Sequence, residues 1–162
     1  MIEKVMAKLE KSAVFKKFKQ DKDFYLTHIF TMIEEKKEQI WQIGFYNKKK
    51  DKMIVFEVDG KITQGKEEEV FKKEKFVKKL ELKEIIPYEK ALEIADDLQK
   101  TEYPAEMVNR RIVILQNLDE TVWNITLISM QFNIVNIKIK ASDGTILKHH
   151  RESLLRFGKE TL

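Results

Sequence analysis

The chain has 162 residues, no cysteine and a formal net charge of +4; 43% of its residues are hydrophobic and 36% are charged. A chain of this length can bury enough surface to fold without cross-links, and the lack of cysteine excludes disulfides and thiolate metal sites. The composition therefore predicts a globular core under a strongly charged surface. Since no apolar run has the length of a signal peptide or a membrane span, we expect a cytoplasmic protein.

The basic excess lies in residues 1–80 and consists almost entirely of lysine. The lysine ammonium is a strongly hydrated point charge, and it does not form the bidentate contacts to phosphates or bases that arginine forms. Its abundance beside glutamate favours a charged surface at least as strongly as a nucleic-acid partner.

Two helices are predicted at the start of the chain. In residues 2–19, apolar side chains recur at spacings of three and four, which is typical of an amphipathic helix. In residues 23–37, apolar side chains cover most of a helical circumference, which predicts a core helix. We therefore expect His28 to be a partly buried residue of this helix rather than a ligand or a general base.

A β-hairpin is predicted next. Side chains alternate from Trp41 to Tyr46, residues 47–51 form a polar turn, and residues 53–58 form the return strand. An Asp-Gly turn leads into a short third strand at residues 61–64. The highly charged residues 65–79 are either an extended arm or a short helix, and they connect a unit at 1–80 to a unit at 81–162.

The second unit repeats this order. Pro87 begins a helix at residues 88–99, and the apolar residues 112–115 predict a central strand. Alternation predicts two further strands, from Trp123 to Ile128 and over residues 132–140. The remaining predictions are a turn at Asp143-Gly144, a strand at residues 145–147 and a basic amphipathic tail over residues 149–162.

The two halves share landmarks at nearly the same separation. Trp41 and Trp123 each lead a strand, and each half then has an apolar strand followed by Asp-Gly-x-Ile. Similarity at a fixed offset suggests two copies of one supersecondary unit, with the first copy degenerate. The pattern as a whole predicts an α+β protein with antiparallel sheet packed on helices.

The second half resembles the PepSY-type domain, most clearly over residues 86–148 and more weakly over 23–64. The matching residues are Ala91, Ile94, Ala95, Trp123, Ile125, Ile137, Ile139, Asp143, Gly144 and Ile146. Lys140-Ala141-Ser142 departs from the more usual acidic lead-in to the turn. The resemblance implies a helix cradled by an antiparallel sheet, a cystatin-like arrangement. It also implies a binding or inhibitory module of the kind often linked to peptidases.

Sequence motifs argue against an enzyme. The chain has no phosphate-cradling glycine loop, no G-x-S-x-G and no H-E-x-x-H. The pair His149-His150 has no third ligand at usable spacing, and Glu67-Glu68-Glu69 is expected to be a solvated charge run. We therefore expect no catalytic residue, no metal site and no cofactor.

The predicted function is a binding or regulatory module that contacts a protein or peptide through its sheet face. Asn124, Asn133 and Asn136 lie on or beside the second hairpin and are candidate contacts on a polar face. The alternative is a basic nucleic-acid-associated protein that uses Lys48-Lys49-Lys50 at a hairpin tip and the lysines of residues 72–79, with Phe45 and Tyr46 for stacking. The partner and the oligomeric state are left open.

Overall fold

The computed structural model describes residues 1–69 and 77–156, and in these residues nine strands form one sheet whose neighbouring strands are all antiparallel. The helices are α1 (Ile2–Lys11), α2 (Ala13–Phe18) and α3 (Tyr88–Glu102). The strands are β1 (Phe24–Glu34), β2 (Trp41–Asn47), β3 (Lys52–Val58), β4 (Ile62–Gln64), β5 (Glu68–Glu69), β6 (Val108–Asn117), β7 (Thr121–Ser129), β8 (Asn133–Lys140) and β9 (Ile146–Ser153).

The strand order is β4-β3-β2-β1-β6-β7-β8-β9, and β5 pairs with β3 beside β4. Each half is therefore a meander preceded by helix: α1 and α2 come before β1 to β4, and α3 comes before β6 to β9. The halves meet where β1 lies antiparallel to β6, so the two predicted units share one sheet. The predicted α+β class is confirmed.

The helix predicted over residues 23–37 is wrong, because this segment is the central strand β1. Both sides of the strand carry large apolar groups, so its pattern resembles that of a buried helix. A bulge between Leu26 and His28 also shifts the alternation by one residue. The aromatic and β-branched composition is the signal that favoured a strand.

The helix predicted over residues 2–19 is interrupted at Ser12. The Ser12 backbone is extended, and its hydroxyl oxygen accepts a hydrogen bond from the Phe15 backbone N–H at 3.3 Å. Ser12 therefore caps α2, and the break turns Phe15 and Phe18 toward the sheet, where both are buried.

The helices α1, α2 and α3 pack on one face of the sheet. Five phenylalanines form the aromatic core of the first half, with ring centroids 4.8 to 5.8 Å apart; they are Phe15, Phe18, Phe24, Phe45 and Phe56. Between the halves, the Tyr88 ring of α3 lies 5.1 Å from Trp41 and 6.1 Å from Trp123. Both tryptophans are thus core residues at the seam.

Strands β6, β7 and β9 are longer than predicted. β6 begins at Val108 and β9 runs to Ser153, so part of the predicted amphipathic tail is an edge strand. An edge strand that is exposed on both faces has no apolar alternation to reveal it. Of the undecided charged segment, Glu68 and Glu69 form β5, while residues 70–76 and the end of the tail, 157–162, lie outside the described residues.

Candidate functional site: the helix-free face of the sheet

Strand alternation places a group of apolar side chains on the face opposite the helices. Val113 of β6 points into the core, so its neighbours Ile112 and Ile114 point away from the helices. Ile114 lies opposite Phe30 of β1, and Ile112 lies opposite Met32. All four side chains are partly exposed and none belongs to the hydrophobic core. We call Phe30, Met32, Ile112 and Ile114 the sheet-face patch.

A polar column runs beside this patch on β7 and β8. Asn124 lies opposite Ile114, and Thr126 lies opposite Ile112. The Asn136 amide donates hydrogen bonds to Asn124 Oδ1 at 2.7 Å and to Thr126 Oγ1 at 3.0 Å. The structure therefore brings together two of the three asparagines predicted as contacts; with Thr126 they form the asparagine column.

His150 extends the column to the edge strand. It lies opposite Asn136, and its Nε2 is 3.5 Å from Glu152 Oε1. Its Nδ1 is buried and has no hydrogen-bond partner among the described residues. The polar strip thus reaches from the middle of the sheet to β9.

Asn133 lies elsewhere. It is three residues before Asn136, so strand alternation turns it to the helix side. Its amide donates a hydrogen bond to Glu106 Oε1 at 2.8 Å. Asn133 therefore belongs to a buried polar cluster and not to the asparagine column.

Glu106 is the centre of that cluster and was not among the residues predicted from the sequence. Its side chain is 3% exposed, and Oε1 accepts hydrogen bonds from Asn133 and from the Arg151 guanidinium at 3.2 Å. Burial raises the pKa of the Glu106 carboxyl, but Ser129, Asn133 and Arg151 together hold it below its usual value. The only sequence signal was a lone glutamate before a strand, because its partners lie far along the chain.

The three predicted lysines lie at the tip of the β2–β3 hairpin, and all three are exposed. The Asn47 side-chain oxygen accepts hydrogen bonds from the backbone N–H groups of Lys49 and Lys50 at 3.0 and 3.1 Å. The Lys49 ammonium lies 3.1 Å from Asp23. The tip is therefore an ordered turn, and Lys48 lies on it beside the other two. The prediction that Phe45 and Tyr46 stack on a ligand is wrong, because both side chains are buried.

His28 is a strand residue that leans over Gly44 of β2. The Thr27 hydroxyl oxygen lies 3.1 Å from the Gly44 carbonyl oxygen, to which it donates a hydrogen bond, and 2.9 Å from His28 Nδ1. Burial lowers the pKa of the imidazole. The ring is a partly buried packing group, and it lies on a strand and not on the predicted helix.

The described part of the chain holds neither a metal-binding cluster nor a membrane-spanning helix. There, no group of three or more His, Cys, Asp or Glu side chains is placed to hold a metal ion. No helix of that part is long and apolar enough to cross a membrane.

No known family model and no curated protein matches the chain. Among solved structures, the chain is similar to the crystal structure of a "putative lipoprotein" from Clostridium difficile 630. The TM-score is 0.59 and the sequence identity 19%, and the match covers 86% of this chain and 90% of the other.

This likeness defines the class of the protein as an α+β fold with a large antiparallel sheet. At such low sequence identity the likeness supports only the fold assignment, and the word lipoprotein describes the other protein. The PepSY resemblance, the absence of catalysis and the cytoplasmic location stay predictions.

Proposed function

We propose that the chain is a non-enzymatic binding or regulatory module that holds a protein or peptide partner against its helix-free sheet face. The observation that carries the proposal is the sheet-face patch, where apolar side chains of both halves meet and no helix of the described residues lies over them. A contiguous apolar group with a polar border is typical of an interaction surface. The asparagine column supplies amide donors and acceptors beside it, which fix the orientation of a partner.

The module is built, in this proposal, from two PepSY-like units in tandem. Trp41 lies opposite Thr31 of β1, and Trp123 lies opposite Leu115 of β6. If the tryptophans are equivalent, Thr31 corresponds to Leu115, and a twofold axis passes between Phe30 and Ile114. The sheet-face patch then sits on this axis.

The two Asp-Gly turns support the same duplication. The Asp59 carboxylate accepts a hydrogen bond from the Lys61 N–H at 2.8 Å, and the Asp143 carboxylate accepts one from the Thr145 N–H at 2.9 Å. Each turn joins the third strand of its meander to the fourth. A helix cradled by a meander is the cystatin-like arrangement, and inhibition of a peptidase is the specific role that this resemblance implies.

Photo-cross-linking in the native cells tests the proposed function. With p-benzoylphenylalanine at Ile112, we expect a covalent complex with one protein that is absent when the probe replaces Lys100, an exposed residue of α3 on the other side of the sheet. A complex of equal yield from both positions, or none from Ile112, would contradict a binding role for this face. A complex that nuclease removes would favour the nucleic-acid alternative instead.

The exposed lysines of the β2–β3 tip are the observation behind that alternative. If they bind nucleic acid, retention in a gel shift must fall steeply with salt, because each phosphate contact releases counterions. Replacing Lys48, Lys49 and Lys50 with alanine must then lower the affinity further. We expect no retention at low salt, which would leave the sheet face as the binding surface.

A further inference from the structure

A small groove opens on the helix-free face where β1 ends. Its floor is apolar and is formed by Phe30 and Met32 of β1 and by Ile40, which is 39% exposed. Its volume is about 250 Å³, which is below the roughly 300–1,000 Å³ of sites for whole small molecules. The groove therefore has the size for a single side chain, and it shares Phe30 and Met32 with the sheet-face patch.

The rim of the groove is acidic although the chain as a whole is basic. Glu34, Glu38 and Glu57 line it, against one lysine, Lys37. Glu34 is already neutralised, because Lys37 and Arg110 both contact its carboxylate. Among the described residues, Glu38 and Glu57 have no ion-pair partner, so the groove keeps a surplus of negative charge.

Together, the apolar floor and the two carboxylates without ion-pair partners favour one chemical class of ligand. The acidic side chains of the described residues are not grouped to hold a metal ion, so an inorganic cation does not account for them. A long aliphatic stem that ends in a cation fits both parts, since lysine and arginine lay their methylene groups on apolar surface and keep the charge in water.

We propose that this groove binds a lysine or arginine side chain of the partner, with its stem on Phe30, Met32 and Ile40 and its cation between Glu38 and Glu57. The inference rests on the proposed function and adds to it the chemistry of the bound segment. Gln42, whose amide donates a hydrogen bond to Glu57 at 3.3 Å, orients that carboxylate across the groove.

NMR titration of the ¹⁵N-labelled chain tests the groove with small probes. The probes are the Nα-acetyl methylamides of lysine, arginine and norleucine, and norleucine has an aliphatic stem without the charge. We expect the cationic probes to shift the amide signals of Met32, Ile40 and Gln42 with millimolar affinity, and norleucine to bind more weakly. The double variant Glu38→Gln, Glu57→Gln should bind lysine about 5-fold more weakly, as expected for two exposed ion pairs.

Glu81→Gln is the matched control, because Glu81 is exposed and lies away from the groove; its affinity should equal that of the wild type. Equal shifts from lysine and norleucine, or unchanged affinity in the double variant, would overturn the inference. The proposed function fails separately, when Ile112 gives no cross-linked protein. A failed titration beside a positive cross-link would therefore reject the groove and keep the sheet face.

Discussion

Glu106 illustrates how much one residue contributes to the order of this fold. The carboxylate lies just before β6, and it ties this position to Asn133 at the start of β8 and to Arg151 on β9. The side chain is 3% exposed, and its other oxygen, Oε2, is buried without a hydrogen-bond partner among the described residues. A buried charge of this kind costs free energy unless its hydrogen bonds are complete.

Replacing Glu106 with glutamine should lower the free energy of unfolding at pH 7 by about 1–3 kcal/mol. The folded pKa is lowered, so the contribution of the wild-type carboxylate is present above its ordinary pKa of 4.5 and is lost as the pH falls through the folded value. Urea unfolding between pH 7 and pH 3 should therefore show a steeper loss in the wild type than in the variant. Glu81→Gln should follow the wild type, and parallel curves for Glu106→Gln would contradict this role.

Gly44 and His28 form a second pair whose effect is local. A methyl group at position 44 would overlap the His28 ring, which is held by Thr27. We expect Gly44→Ala to destabilise the chain by about 1–3 kcal/mol through overpacking. Adding His28→Ala should restore part of the loss, so the two changes should be non-additive in thermal unfolding. Strict additivity would show that the ring does not occupy this space.

At the scale of the element, the two Asp-Gly turns contain the same type of hydrogen bond, from a backbone N–H to the Asp carboxylate. Their glycines differ in backbone conformation. Gly144 has φ +82°, and a Cβ there would lie 3.0 Å from Ile94 of α3. Gly60 lacks a positive φ and has open space around it. The Asp-Gly sequence therefore requires glycine at position 144, whereas position 60 tolerates a side chain.

Alanine at the two glycines tests this difference. Gly144→Ala should cost about 1–2 kcal/mol, the strain of a left-handed L-residue. Gly60→Ala should leave stability unchanged or raise it by up to about 1 kcal/mol, because alanine restricts the unfolded chain. Equal losses in chemical denaturation would contradict the two turn geometries.

Helices and strands were predicted correctly where the apolar residues lie on one face of the element. The strand β3 and the helix α3 each expose one face, so their patterns are clear in the sequence. β1 lies in the middle of the sheet with large apolar groups on both sides and a bulge at Thr27, and its periodicity therefore indicated a helix. Part of the site was predictable for the same reason, since Asn124 and Asn136 alternate on predicted strands.

The rest of the site depends on the whole molecule. Phe30 and Ile114 meet only because β1 pairs with β6, and nothing local in the sequence encodes a contact between strands so far apart. On the other face, Tyr88 packs between the two tryptophans, and its hydroxyl accepts a hydrogen bond from the Gln39 amide at 3.0 Å. The same seam that joins the halves thus creates the apolar surface assigned to the partner.

The affinity of the cross-linked partner for purified variants tests this account most directly. Ile114→Lys places a charge at the centre of the sheet-face patch, and the matched control Phe132→Lys does so at an apolar residue that is 59% exposed on the β7–β8 turn. With folding verified by circular dichroism, we expect Ile114→Lys to weaken binding at least about 30-fold, the loss of roughly 2 kcal/mol typical of a central contact. Phe132→Lys should bind like the wild type. Wild-type affinity in Ile114→Lys would contradict the assignment of the partner to the helix-free face.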